Sequence, residues 1–194
     1  MHPKLRQDIE RKINSSLTDE DFALFLDFLK PVYFSKKETV LEVDHFCSTI
    51  YYIEKGLLIS YLTDEKGEKH AVQFAFENHW ISDLYSFFSY QPSIISIEAL
   101  EDTTALAISQ ENFELAMQKL PQFERFFRIL IQNAYIHSQQ RIAKTFTDDA
   151  EQRYKDLIGT NPDFLQRVPQ YLIASFLGIK PQSLSRIRQN MHKK

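Results

Sequence analysis

The spacing of apolar positions changes twice along the chain. In the first thirty residues it is helical: Phe22, Phe25, Leu26 and Leu29 follow an N-cap at Thr18 and the first-turn acids Asp19, Glu20 and Asp21, and Pro31 is expected to end that helix. From Val32 to Ile108 the texture becomes short runs of Val, Ile, Thr, Phe and Tyr broken by turn residues. Leu57 to Leu62 and Lys69 to Ala75, joined by the polar stretch Thr63 to Glu68, predict a hairpin. Ile50 to Lys55 precedes it, with Gly56 placed to supply a turn, and Ser93 to Leu100 with Thr103 to Ile108 predict a second strand pair. Six to eight strands in about 75 residues predict a β-sandwich, roll or barrel of the jelly-roll kind.

After Ser109 the helical period returns. Glu111 to Leu120 predicts a short helix, and Gln122 to Phe146, free of Gly and Pro, predicts the longest one. Phe123, Phe127, Leu130 and Ala134 make one stripe on it; Phe126, Ile129, Asn133 and Ile136 make another. Apolar character on more than one side implies burial on two fronts, one of which is expected to be a second copy of the chain with Asn133 setting register. A central helix buried within one chain is the alternative. Thr147 to Ala150 marks a further helix start and Gly159 to Pro162 its end, before a small helical module. The reading is an α+β chain in three parts, residues 1–120, 121–146 and 147–194.

Composition narrows the class without choosing a function. With 194 residues, 43% hydrophobic and 25% charged, the chain has material for one large domain or a medium one plus a small one. Its apolar runs are too short for a membrane span or a secretory signal, so no membrane partner is expected. A lone cysteine, Cys47, excludes an intramolecular disulfide and fits a reducing, cytoplasmic setting. Asp44, His45 and Cys47 fall short of a recognisable metal-ligand set, and His70, His79 and His137 stand alone in sequence, so neither metal, cofactor nor enzyme activity is expected.

Charge is distributed unevenly. Gln166 to Lys194 carries six Lys/Arg and no acid, which leaves 17 basic against 26 acidic groups in the other 165 residues. Within that basic segment, Ile173, Ala174 and Leu177 give one helix an apolar face, Gly178 supplies a turn, and Pro181 opens a second helix striped by Leu184, Ile187 and Met191. This is helix-turn-helix spacing. Off the buried stripe lie Gln182, Ser185, Arg186 and Gln189, whose Arg and Gln suit guanine and adenine edges, while Lys180, Ser183 and Arg188 suit phosphate. Two packed helices with a solvated polar face would show the same pattern without DNA.

Both halves together resemble the Crp/Fnr family of bacterial transcription regulators over nearly the whole length. The resemblance is carried by Ile50 to Gly56, the Asp64 to Glu68 hairpin, Leu172 to Ile179, and Gln182 to Ile187. It implies a cyclic-nucleotide-binding-type β-roll over 1–120, a dimerisation helix over 121–146 and a DNA-binding helix-turn-helix over 147–194. It also implies a homodimer on a palindromic duplex, with RNA polymerase as a further partner. The phosphate-binding cassette of cAMP-responsive members, Gly-Glu followed by Arg-Ser or Arg-Thr, aligns with Ser82-Asp83 and Ser93-Ile94, and no Arg or Lys occurs between Lys69 and Lys119. The expectation is therefore a regulator that does not answer to cAMP, with Trp80, Ser82, Asp83, Tyr85, Ser93 and Ile94 near any pocket and an uncharged or cationic effector if one exists. Only seven residues follow Ile187, too few for the β-hairpin wing common in the family. The rival reading is a ligand sensor whose C-terminal helices engage a protein partner.

Overall fold

A computed structural model describes residues 2–160 and 163–191 of the chain. The N-terminal helix α1 (Pro3–Ile13) buries Leu5, Ile9 and Ile13 on one face, with the buried Asp8 carboxylate held by Arg11 and Lys12. Helix α2 (Asp19–Asp27) begins as the sequence indicates, Thr18 Oγ1 accepting from Asp21 N at 3.0 Å. It stops at Phe28, before the proline, because Pro31 already belongs to strand β1 (Lys30–Phe34). That strand lies at a sheet edge, where a residue without an N–H is tolerated.

Seven further strands follow: β2 (Thr39–Leu41), β3 (Thr49–Lys55), β4 (Leu58–Thr63), β5 (Lys69–Ala75), β6 (Trp80–Ile81), β7 (Ser96–Ala99) and β8 (Thr103–Ser109). They form two four-stranded sheets, ordered β1-β8-β3-β6 and β2-β7-β4-β5. The expected hairpin is β4 and β5. The expected pairing of Ser93–Leu100 with Thr103–Ile108 is not made: β7 pairs with β2 and β8 with β1 and β3, because the chain crosses between sheets at Leu100 to Asp102. Sequential neighbours that change sheets are what a jelly-roll connection requires, and no local pattern marks it.

Between β6 and β7 lies a short helix the strand pattern conceals, α3 (Leu84–Ser89), capped by Asp83. Helix α4 (Gln110–Lys119) is capped by Ser109, and α5 (Pro121–Thr147) is the long helix. Phe25, Trp80, Phe113, Phe123, Phe126 and Phe127 belong to one buried cluster, with Phe25 stacked on Phe123 at 3.6 Å between ring centroids. Helices α6 (Ala150–Thr160), α7 (Phe164–Arg167), α8 (Gln170–Phe176) and α9 (Pro181–Met191) complete the described chain; Asn161 and Pro162 of the expected helix stop lie outside it.

Internal contacts divide the molecule into two compact units. One comprises Met1–Ser60 and Phe74–Tyr135, and the other Tyr61–Gln73 and Ile136–Lys194. The second therefore includes the outer end of the β4–β5 hairpin as well as α6 to α9.

Candidate nucleic-acid interface and β-roll pocket

The end of α8 is fixed by backbone geometry. Gly178 takes φ +67°, Ile179 N bonds Ala174 O at 3.0 Å and Gly178 N bonds Ser175 O at 2.9 Å, the pair of bonds that closes a helix at a left-handed residue. Lys180 O then receives Ser183 N and Leu184 N, starting α9 with Pro181 in its first turn. Leu184 is buried, as are Leu172, Ile173 and Ala174 of α8. This anchors α9 along one side. Gln182, Ser183, Ser185, Arg186 and Gln189 of α9 are exposed, Arg188 is half-buried, and Lys180 is exposed just before the helix begins. Ser185 Oγ is turned back onto Pro181 O at 3.1 Å, which occupies its hydrogen.

The helix pair is held on the hairpin through Ser175. Its hydroxyl donates to Lys69 O and accepts from Ala71 N, each at 3.0 Å, filling one backbone donor and one acceptor on the free edge of β5. Arg141 of α5 donates to Val72 O at 2.6 Å, and Arg153 of α6 to Leu177 O at 3.2 Å. Sequence reasoning missed these supports. Arg141 has no acid three or four residues away on its helix, and that absence is the signal that would have pointed to a distant partner.

The β-roll residues separate into three environments. Trp80 packs in the core, 5.2 Å from the Tyr52 ring and 5.1 Å from Phe127 between centroids. Tyr85 and Ile94 are exposed. Asp83 and Ser93 come together: Asp83, only 4% exposed, accepts from Ser93 Oγ at 2.6 Å and from Tyr85 N at 3.0 Å. Ser82 bonds Thr49 O at 2.9 Å and sits 3.2 Å from the buried Cys47 Sγ. The start of α3 is thus satisfied by the protein's own carboxylate, and Ser93, the hydroxyl aligned with the cassette, is already committed to it.

Of the four residues expected on a dimer stripe, Phe126 is 0% exposed and packs 6.0 Å from Trp80, so it belongs to the core. Ile129 is half-buried, and Asn133 and Ile136 are exposed. From Gln132 to Phe146 every residue of α5 is exposed, including Tyr135, Ile142 and Phe146, the last at 85%. No helix among the described residues is long and apolar enough to cross a membrane, and no group of three or more His, Cys, Asp or Glu there is placed to hold a metal.

Comparison with known proteins follows this architecture. Residues 31–119 match the cyclic nucleotide-binding domain family, which sets the class of the segment from β1 to α4. FixK2 from Bradyrhizobium japonicum has the same fold at a TM-score of 0.72 and 14% identity, with 85% of each chain covered. CLP from Xanthomonas campestris, a c-di-GMP responsive global regulator, gives 0.68 at 12% identity over 91% of this chain and 92% of its own. A regulator assigned to the Crp/Fnr family from Eubacterium rectale gives 0.67 at 16% identity over 91% and 84%. The chain has the fold of Crp/Fnr-type regulators, as the resemblance in its sequence implies. No curated protein sequence matches it significantly.

Proposed function

We propose that the protein is a homodimeric, sequence-specific DNA-binding transcription regulator of the Crp/Fnr type, with a β-roll over 1–120 that does not take cyclic nucleotides, a dimerisation helix over 121–146 and a DNA-binding module over 147–194. One observation carries the reading: α9 is anchored by Leu184 and turns Gln182, Arg186 and Gln189 outward on a segment that holds six cations and no acid. Arg186 and the two glutamines read base edges, and Lys180 and Arg188 meet phosphates.

Dimerisation is supported by the uncovered half of α5. Tyr135, Ile142 and Phe146 recur at spacings of seven and four, a seam that suits a second copy of the same helix, with Asn133 and Ile136 beside it. Two α9 helices related by a twofold axis would enter successive major grooves about 34 Å apart, so the site is an inverted repeat. Against cyclic nucleotides stands Asp83: an incoming phosphate would meet a buried carboxylate in place of a cation. The c-di-GMP response belongs to CLP and gives no anion partner to this pocket. Selection from random duplexes tests the proposal. A reproducible inverted repeat supports it; weak, sequence-independent binding overturns it in favour of a module that engages protein.

A further inference from the structure

The unit formed by the hairpin end and the C-terminal helices contains an open cleft of about 490 Å³. Its lining carries three cations. Arg141 and Lys144 lie three residues apart on α5, and Arg153 lines the cleft from α6. Asp156 is the one acid in the described lining, and it is already bonded to Lys144 and, at 2.8 Å, to Gln152 Nε2.

The two arginines are satisfied in an unusual way. Arg141 donates to the Val72 carbonyl and lies over the Phe176 ring, 4.9 Å from its centroid. Its side chain stays open to solvent on one side, while the protein packed on the other lowers its pKa from the ordinary value through burial. Arg153 donates to the carbonyls of Asp148 at 2.5 Å and Leu177 at 3.2 Å, while its Nε is buried and has no partner. Neither has a carboxylate partner among the described residues. Partly dehydrated cations gain from a counter-charge, and the guanidinium fork matches the oxygens of a carboxylate or phosphate. The volume falls in the range of small-molecule sites, and Leu157, Phe176 and Leu177 give it an apolar floor.

We propose that this cleft binds a small organic anion, a carboxylate or phosphate head on an apolar body, with Arg141 and Arg153 holding the head. Such a ligand would touch α5, α6, the β5 edge and the end of α8 together, and so stiffen the mounting of α9. That consequence rests on the DNA-binding reading; the site itself does not.

Calorimetric titration of the full chain with phenyl phosphate, phenylacetate and neutral benzyl alcohol tests it. At least one anion binds and the alcohol does not, and the tighter anion identifies the head the site prefers. Arg141→Gln and Arg153→Gln each weaken binding at least tenfold, whereas Arg128→Gln, on the same helix outside the cleft, leaves it unchanged. Failure of both anions to bind at millimolar concentration overturns the site, as does wild-type affinity in a folded Arg141→Gln/Arg153→Gln variant. Should those variants not fold, hydrogen exchange on the wild-type chain decides: phenyl phosphate slows exchange over 137–145 and 150–157, and protection confined to α9 refutes the assignment. Gel shifts with and without the bound anion measure the coupling separately. A chain that binds the anion but no DNA sinks the DNA-binding reading and leaves the cleft standing.

Discussion

Gly56 offers a clean measure of how tightly the β-roll closes, because its replacement by Ala meets two separable penalties. The residue joins β3 to β4 at φ +104°, where an L side chain costs about 1–2 kcal/mol. A methyl group there would also lie 2.4 Å from Thr103 Oγ1, 2.6 Å from Asp102 O and 2.7 Å from Thr103 Cα. Two of those atoms are backbone and cannot rotate away, and moving Thr103 Oγ1 breaks its 3.1 Å bond from Leu57 N. Overpacking of this kind adds about 1–3 kcal/mol, so Gly56→Ala is expected to cost about 2–5 kcal/mol. For a chain of this size that is a fall in Tm of roughly 4–20 °C. Gly67→Ala is the internal control: φ is +80°, but nothing lies within 4 Å of the added carbon, so only the backbone penalty of about 1–2 kcal/mol applies. Urea unfolding followed by Trp80 fluorescence, with m unchanged, measures both. Equal losses for the two variants would show that the contacts at Asp102 and Thr103 carry no weight, and would refute the reasoning.

Four further outcomes are expected. Arg186→Ala loses about 1–3 kcal/mol at one base pair and relaxes preference there, while Lys180→Ala weakens all duplexes alike and lowers the salt slope by roughly one; equal loss for Arg186→Ala on specific and random DNA removes it from base reading. Titration of the wild-type chain with cAMP gives no binding at micromolar concentration, and a low-micromolar Kd with tightened DNA affinity would contradict the role given to Asp83. Ile142→Ser/Phe146→Ser shifts light scattering from dimer to monomer at micromolar concentration without altering the Trp80 spectrum; a wild-type chain already monomeric, with and without DNA, would contradict the seam. Asp64 is held below the ordinary carboxylate range by its bond to His70 first and by the backbone N–H of Glu68 next. Its contribution is therefore full above the ordinary aspartate pKa and disappears as pH falls through the lowered one, which NMR of the Asp64 carboxyl reads as a midpoint below that of a free aspartate.

What the sequence disclosed tracks the range of the forces involved. Thr18, Ser109, Pro181 and Gly178 act within four residues of themselves, and the helix ends they imply agree closely with the structure. Helix α3 escaped because six residues complete under two turns, too short for a period, and its cap, Asp83, reads equally well as a pocket acid. Strand partnership escaped for a different reason: whether Thr103–Ser109 pairs with its predecessor or with residues fifty positions earlier depends on which sheet each joins. Phe126 illustrates the same limit on a helix, since periodicity places it on a stripe without saying that Trp80 already packs against this one member of it. The outward residues of α9 were legible because one buried leucine fixes the rotation of the whole helix. Arg153 was not, its partners being backbone carbonyls that leave no trace in composition, and for Arg141 the only trace is the lack of an acid on its own helix face.

The Ser175 clasp on β5 spans more than a hundred residues of sequence, and synthesis runs in one direction. At roughly 5–20 residues per second, Lys69 and Ala71 leave the ribosome some 5–20 s before the hydroxyl that completes them. Throughout that interval the outer edge of the second sheet presents unpaired N–H and C=O groups, a template for pairing with another nascent chain. Lys69, the first residue of β5, places charge on that edge while it waits, the arrangement by which open strands discourage such pairing.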